Sequence, residues 1–233
     1  MRQIVLDTET TGLSWERGNR VVEIGCVELV ERRPTGRTFQ RYLNPEREFE
    51  PGAQEVTGLT CEFLADKPRF ADVVDEFLAF VEGAELVIHN AAFDVGFLDY
   101  ELSRLGEQYG RIHLRCRVED SLALARQRYP GQRNSLDALC RRLGIDCSHR
   151  QLHGALLDAQ LLAEAYLALT SGQGEIGFAA IEVVQAAVAT IGEGTHRPRP
   201  RVTAEAADVQ AHEARLATLR KKAAVCVWDL IDA

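Results

Sequence analysis

Period-two or β-branched apolar stretches mark Gln3–Asp7, Val21–Val30 and Thr38–Leu43, each bounded by Gly, Asn or Pro. Side chains two apart share one face of a strand, so this first part is predicted to be a meander of strands. The period then changes. Val73, Val74, Phe77, Leu78 and Val81 fall on one stripe of a helix over Phe70–Glu82. A short apolar strand over Glu85–His89 follows, then a helical pattern over Phe93–Leu105. Further helices fit Val118–Arg128, Ser135–Leu143 with Ser135 as N-cap, and Gly154–Leu169. Strands alternating with helices predict an α/β architecture, a mixed sheet flanked by helices.

The pattern loosens after about Thr170, where Gly172, Gly174 and Gly177 interrupt it. Phe178–Ile191 has the spacing of a short apolar helix. Gly192–Val202 carries His196-Arg197-Pro198-Arg199-Pro200-Arg201, whose prolines stiffen and whose like charges extend a linker. Ala204–Ala224 is Ala- and charge-rich and helical in pattern, ending in the apolar tip Val225-Cys226-Val227-Trp228-Asp229-Leu230-Ile231. The expected organisation is a globular domain over 1–180, a flexible linker over 181–203 and a separate C-terminal segment over 204–233. No internal repeat is visible.

Composition narrows the class. The chain has 233 residues with 46% hydrophobic content, enough for one full core. Its net charge of −8 argues against a free-standing nucleic-acid binder, which replaces phosphate counterions with a basic face. It does not argue against a nuclease whose acids are offset by metal and whose substrate is delivered by a partner. Six cysteines without a C-x-x-C spacing, and no secretory pattern, read as reduced thiols of a cytosolic protein. No apolar run reaches the roughly 20 residues that span a bilayer.

The candidate chemistry lies where carboxylates interrupt apolar runs. Asp7 and Glu9, two apart on the first strand, project to the same side. Asp94 follows the strand–helix junction at His89-Asn90, near a helix N-terminus that favours negative charge. His153 and Asp158 begin the last helix of the domain, with Gly154 loosening its start. Each signal has a plain alternative: solvated acids on an edge strand, a helix-capping Asp, a surface His, and ordinary turn residues at His89 and Asn90. Together they describe acids whose mutual repulsion calls for hard divalent cations. A neutral imidazole beside them is able to take a proton near pH 7. The reaction class this suggests is metal-dependent phosphodiester hydrolysis, in which paired ions sit roughly 3.5–4 Å apart.

These segments resemble the motifs of the DnaQ-like, DEDDh-type 3′–5′ exonucleases over residues 3 to about 170, most closely those that proofread for bacterial DNA polymerase III. The resemblance implies an RNase H-like fold and release of nucleoside monophosphates from a 3′ end. It implies that Asp7, Glu9, Asp94 and Asp158 hold two Mg²⁺ or Mn²⁺ ions, with His153 as general base. It also places Asp7, Glu9, Thr10, Leu13, Thr57 and Phe93 around the terminal nucleotide. Thr57, in Val56-Thr57-Gly58-Leu59-Thr60, departs from the family, which often carries His there. Leu13 and Phe93 stand where the family packs apolar side chains on the terminal base; a core role for both is the alternative.

Two C-terminal signals concern partners. Ala211-His212-Glu213-Ala214-Arg215-Leu216 and Lys221-Lys222 with Cys226-Val227-Trp228 resemble the polymerase-binding end of proofreading subunits, which makes Leu216 and Trp228 candidates for contact with the polymerase III alpha subunit. Trp228 folded back on the domain is the alternative. Gln173, Ile176 and Phe178 resemble a sliding-clamp-docking peptide, set against a plain linker. The resulting expectation is a cytosolic DNA proofreading exonuclease acting on single-stranded or frayed 3′ ends. Its rivals are an RNA 3′-end trimming enzyme of the same family and a non-catalytic scaffold bridging polymerase and clamp.

Overall fold

The computed structural model describes residues 1–147, 152–171 and 205–222. The linker, the clamp-like peptide with Gln173, Ile176 and Phe178, the helix expected over Phe178–Ile191, and Trp228 lie outside the described residues. The chain divides into one unit of residues 1–176 and a second of 177–233.

Five strands, β1 (Arg2–Thr10), β2 (Val21–Val30), β3 (Arg33–Tyr42), β4 (Glu85–Ile88) and β5 (Arg117–Asp120), form one sheet in the order β3-β2-β1-β4-β5. The β1–β2 and β2–β3 pairs are antiparallel; β4 runs parallel to both β1 and β5. Around the sheet lie α1 (Ala53–Thr57), α2 (Cys61–Leu64), α3 (Phe70–Val81), α4 (Ala91–Leu105), α5 (Ile112–Arg115), α6 (Ser121–Arg128), α7 (Leu136–Leu143) and α8 (Ala155–Thr170). In the second unit α9 spans Ala206–Lys222, within the helix expected there. Among the described residues, no helix is long and apolar enough to cross a membrane, and Cys26, Cys61, Cys116 and Cys147 are free thiols.

The alternation in β1 sets the layers. Ile4 and Leu6 face a core shared with Phe77 of α3 and Phe97 and Leu98 of α4. Val5 points the other way, into a core with Leu136 and Cys140 of α7 and Leu162, Ala163 and Tyr166 of α8. Each face is thus covered by its own helices, which is why the central strands read as nearly continuous apolar runs.

Two expectations need correction. The segment expected as one helix over Val118–Arg128 is two elements: β5 up to Asp120, then α6, whose Leu122 N–H is capped by the Asp120 carboxylate at 2.9 Å. A four-residue strand is too short to establish a period, so the cap was the better signal. β3 begins at Arg33 rather than Thr38; Pro34 and Gly36 hide it, but β3 is an edge strand, where a missing N–H costs little. Its hairpin with β2 turns through Glu31 and Arg32, both left-handed, as a two-residue connection requires. The short helices α1, α2 and α5 have no periodic signature in the sequence.

A buried ion pair locks α4 to the start of β2. The Arg20 guanidinium donates from Nε and Nη2 to the two Glu101 oxygens, both at 2.7 Å, and Glu101 also accepts the Val21 N–H at 3.2 Å. Removing one partner strands the other's charge away from water. Arg20→Met is expected to cost about 3–5 kcal/mol, and the double variant Arg20→Met/Glu101→Leu to recover most of it. Urea midpoints decide this; a single-variant loss no larger than that of a surface pair, about 1 kcal/mol or less, would show that water reaches the pair.

Candidate functional site

The site forms where β1 outruns its neighbour. Pairing with β4 ends at Val5–Val87, while β1 continues to Thr10. Asp7 and Glu9 prolong the face of Val5, towards α8. On the other side β4 turns sharply through Asn90, left-handed at φ 70°, a conformation Asn tolerates. The Asn90 N–H is held by the Asp120 carboxylate at 3.1 Å. One turn into α4, Asp94 reaches back to β1: its Oδ1 accepts the Thr8 N–H at 3.0 Å and the Thr8 hydroxyl at 2.7 Å. Its carboxylate therefore binds the strand, and the N-cap position belongs to Asn90.

The opposite wall comes from α8. Gly25 of β2 lies across from Asp7, and a Cβ there would fall 2.2 Å from backbone atoms of Ala155 and Leu156. The missing side chain lets the first turn of α8 rest directly on the sheet. That turn carries Asp158, whose N–H makes the first intrahelical bond to Gly154 at 2.8 Å. Gly154 itself is extended, φ −149°, a backbone any residue adopts, so the expected loosening is not required by the geometry. His153 precedes it, its N–H held by the Val56 carbonyl at 3.1 Å and its Nδ1 3.4 Å from Asp158 Oδ2.

Asp7, Glu9, Asp94, His153 and Asp158, scattered over 152 positions of the sequence from first to last, line one cavity of about 190 Å³. Asp94 and Asp158 are buried, at 3% and 2% exposure, while the His153 side chain is 44% exposed. One ligand atom each from Glu9, His153 and Asp158 fall within 4.8 Å of one another. Such a cluster of carboxylate oxygens suits a hard divalent cation.

A second cavity of about 380 Å³ shares Thr8, Glu9 and Phe93 with the first and is also lined by Thr10, Leu13 and Thr57. Leu13 is 84% exposed at this cavity, which removes the core reading for it. Phe93 does both: it packs on Phe97, ring centroids 4.9 Å apart, and lines the cavities. The Thr57 hydroxyl donates to the Ala53 carbonyl and accepts the Leu59 N–H. The Thr10 hydroxyl donates to the Gly12 carbonyl at 2.7 Å. In the second unit, Leu216 is the one buried residue among those described in α9.

Sequence reasoning gave too little to Thr8 and His89. Thr8 points away from the Asp7–Glu9 face yet holds Asp94. His89 lines the cavity of the acids, its Nδ1 3.0 Å from the Ser121 hydroxyl. Burial lowers its pKa, so the ring is neutral at pH 7. Its place at the C-terminal end of a parallel strand, where α/β sheets bind ligands, was the available signal.

Comparison with known proteins shows the family. Residues 4–166 match the exonuclease family of RNase T type. DNA polymerase III subunit epsilon of Salmonella typhimurium is 52% identical over 236 residues, covering 97% of each chain; that of Escherichia coli K12 is 51% identical with the same coverage. Among solved structures, exonuclease X in complex with 5′-overhanging duplex DNA has a TM-score of 0.58 at 25% identity, covering 74% of this chain and 93% of that one. An exonuclease I structure shares the fold, with a TM-score of 0.65 at 19% identity over 74% of this chain and 41% of that one. By its fold, and by a likeness to epsilon subunits that runs the length of both chains, this protein belongs to the exonuclease family and groups with the epsilon subunits of DNA polymerase III.

Proposed function

We propose that this chain is the proofreading 3′–5′ exonuclease of a replicative DNA polymerase, removing mispaired nucleotides from DNA 3′ ends with two divalent ions, Mg²⁺ or Mn²⁺. The observation that carries the reading is the convergence of four acids and one histidine on a single small cavity, next to a larger one. Asp7, Glu9, Asp94 and Asp158 are the residues to hold the ions. When bound, the ions supply a more acidic water and neutralise charge on the leaving oxygen. His153 accepts the proton of the attacking water: it is open to solvent, and Asp158 at 3.4 Å orients its ring and stabilises the imidazolium. The larger cavity takes the terminal nucleotide, with the base between Leu13 and Phe93, the backbone side near Glu9 and Thr10, and Thr57 offering its methyl group.

Selectivity for mispairs comes from fraying, because a mismatched end leaves the duplex at lower cost. The acidic chain has a weak grip of its own on DNA. In this reading it works in the cytosol, docked on the polymerase III alpha subunit through Leu216 and Trp228 and on the sliding clamp through Gln173, Ile176 and Phe178. The linker then keeps the site at high effective concentration near the primer end.

Two measurements test this. On 3′-labelled single-stranded DNA with Mg²⁺, Asp7→Ala is expected to release no nucleotide yet bind the alpha subunit normally, and His153→Ala to lose about 10²–10⁴-fold in rate. Deleting the residues after Val202 should do the reverse, sparing hydrolysis and ending polymerase binding. Activity that persists in a chelator, or a strong preference for RNA, would overturn the reading.

The second concerns the ion-free protein. Burial pushes the Asp94 carboxyl up to about 7, outweighing the Thr8 hydrogen bonds that favour its ionised form. A carboxyl raised on folding stabilises below its unfolded pKa and loses that contribution as pH rises through the folded one. In chelator, stability should therefore fall between pH 4 and 8, by a few kcal/mol in total at about 1.4 kcal/mol per pKa unit, and the melting temperature should fall with it. Mg²⁺ should restore more stability at pH 8 than at pH 5, and Asp94→Asn should flatten the fall. An Asp94→Asn profile parallel to wild type would assign the pH dependence elsewhere.

A further inference from the structure

Helix α8 begins without a side-chain cap of its own. Its N-cap, Gly154, has none to offer, yet the first N–H groups of a buried helix need acceptors. The acceptor for Ala155 N–H comes from another element: Glu23 Oε2 of β2, 3.0 Å away and buried, with 1% exposure. The other oxygen of Glu23 accepts from Gln40 Nε2 of β3 at 2.8 Å. Glu23 is paired with Glu9 across the β1–β2 ladder, and Gly25 is paired with Asp7. The turn that carries Asp158, together with His153 before it, is thus seated at two points on β2, by the Gly25 backbone below and the Glu23 carboxylate at its end.

We propose that Glu23 is a positioning residue for the ion site. It fixes the first turn of α8 in register with β1, so that Asp158 and His153 face Asp7 and Glu9. This rests on the function proposed above and goes beyond it, since β2 supplies none of the reacting groups. The bond to Ala155 needs an acceptor at a set reach rather than a charge. A glutamine meets that need: its oxygen accepts from Ala155, while its amide donates to Gln40 once the Gln40 amide is flipped. Aspartate keeps the charge but falls one methylene short. Reach and charge therefore predict opposite orders for the two variants.

The test compares wild type, Glu23→Gln and Glu23→Asp in the full chain. Mn²⁺ affinity is read by electron paramagnetic resonance, amide exchange over Ala155–Asp158 by NMR, and nucleotide release from single-stranded DNA as kcat and KM. Glu23→Asp should weaken Mn²⁺ binding and lower kcat by about 10–100-fold, the range for partners that orient metal ligands. Its KM should be unchanged and exchange in the first turn of α8 faster. Glu23→Gln should stay near wild type on all three. Glu23→Asp matching wild type, Glu23→Gln failing as badly as Glu23→Asp, or a loss of melting temperature alone with Mn²⁺ affinity intact would each overturn the proposal. Wild type that binds Mn²⁺ and leaves DNA intact would sink the exonuclease reading, while the Mn²⁺ affinities would still decide the role of Glu23.

Discussion

Asp94 and Asp158 are almost wholly shielded from water at the end of a strand that already carries Asp7 and Glu9, and each carboxylate held ionised there without a partner costs several kcal/mol. The surroundings answer that repulsion locally. Thr8 gives Asp94 both its N–H and its hydroxyl. Asp158 has the His153 imidazole at 3.4 Å. Even so, burial wins at Asp94, whose carboxyl rises to about 7. The ion-free site is therefore a strained state, and cation binding would add to the stability of the whole unit because it favours only the folded form.

Strain of this kind is useful only if the framework refuses to relax, and the framework is built accordingly. β1 is held between β2 and β4 in the sheet, and the other two segments bearing acids, α4 and α8, are tied to neighbouring elements by side chains or close packing. The bidentate Arg20–Glu101 pair fixes α4 against the entry to β2. Asp120 fixes the turn before α4 while capping α6 with the same oxygen. Gly25 and Glu23 fix α8 against β2. None of these ties touches the cavity, and two of them use buried charge, whose directional hydrogen bonds permit fewer alternative packings than apolar contacts do.

How much of this was legible in the chain depended on whether a contact is local. The D-x-E pair could be read because period two is a property of one strand, and Asp94 and Asp158 because acids inside apolar runs are unusual. Ser135 was legible as a cap because a cap and its helix adjoin, and its hydroxyl does accept the Ala138 N–H. Glu23 was not, since it caps a helix 132 residues away, and in sequence Val-Val-Glu-Ile-Gly is only an alternating strand. Nor was Gly25, whose role is to let the backbone of Ala155 and Leu156 approach β2. Thr8 was overlooked because the parity rule assigns it to the far face, yet its backbone N–H answers to the end of a ladder, which no side-chain pattern records. The division of Val118–Arg128 failed for a related reason: β5 is defined by its partner β4, not by its own four residues.

Charge connects the site to the rest of the chain. Two divalent ions would offset the four acids of the cavity, which is half of the formal net charge of −8. The remaining surface is still acidic and would repel the DNA backbone it acts on. Counterion release, which supplies most non-specific affinity for DNA, is then largely absent, and binding must rely on the few contacts around one terminal nucleotide. In the proposed reading, a site so built would engage an end that is already single-stranded and presented to it. On the same reading, weak intrinsic binding would then be a source of selectivity: tethering would raise the local concentration of ends without adding affinity for correct duplex, so discrimination would rest on how often an end frays.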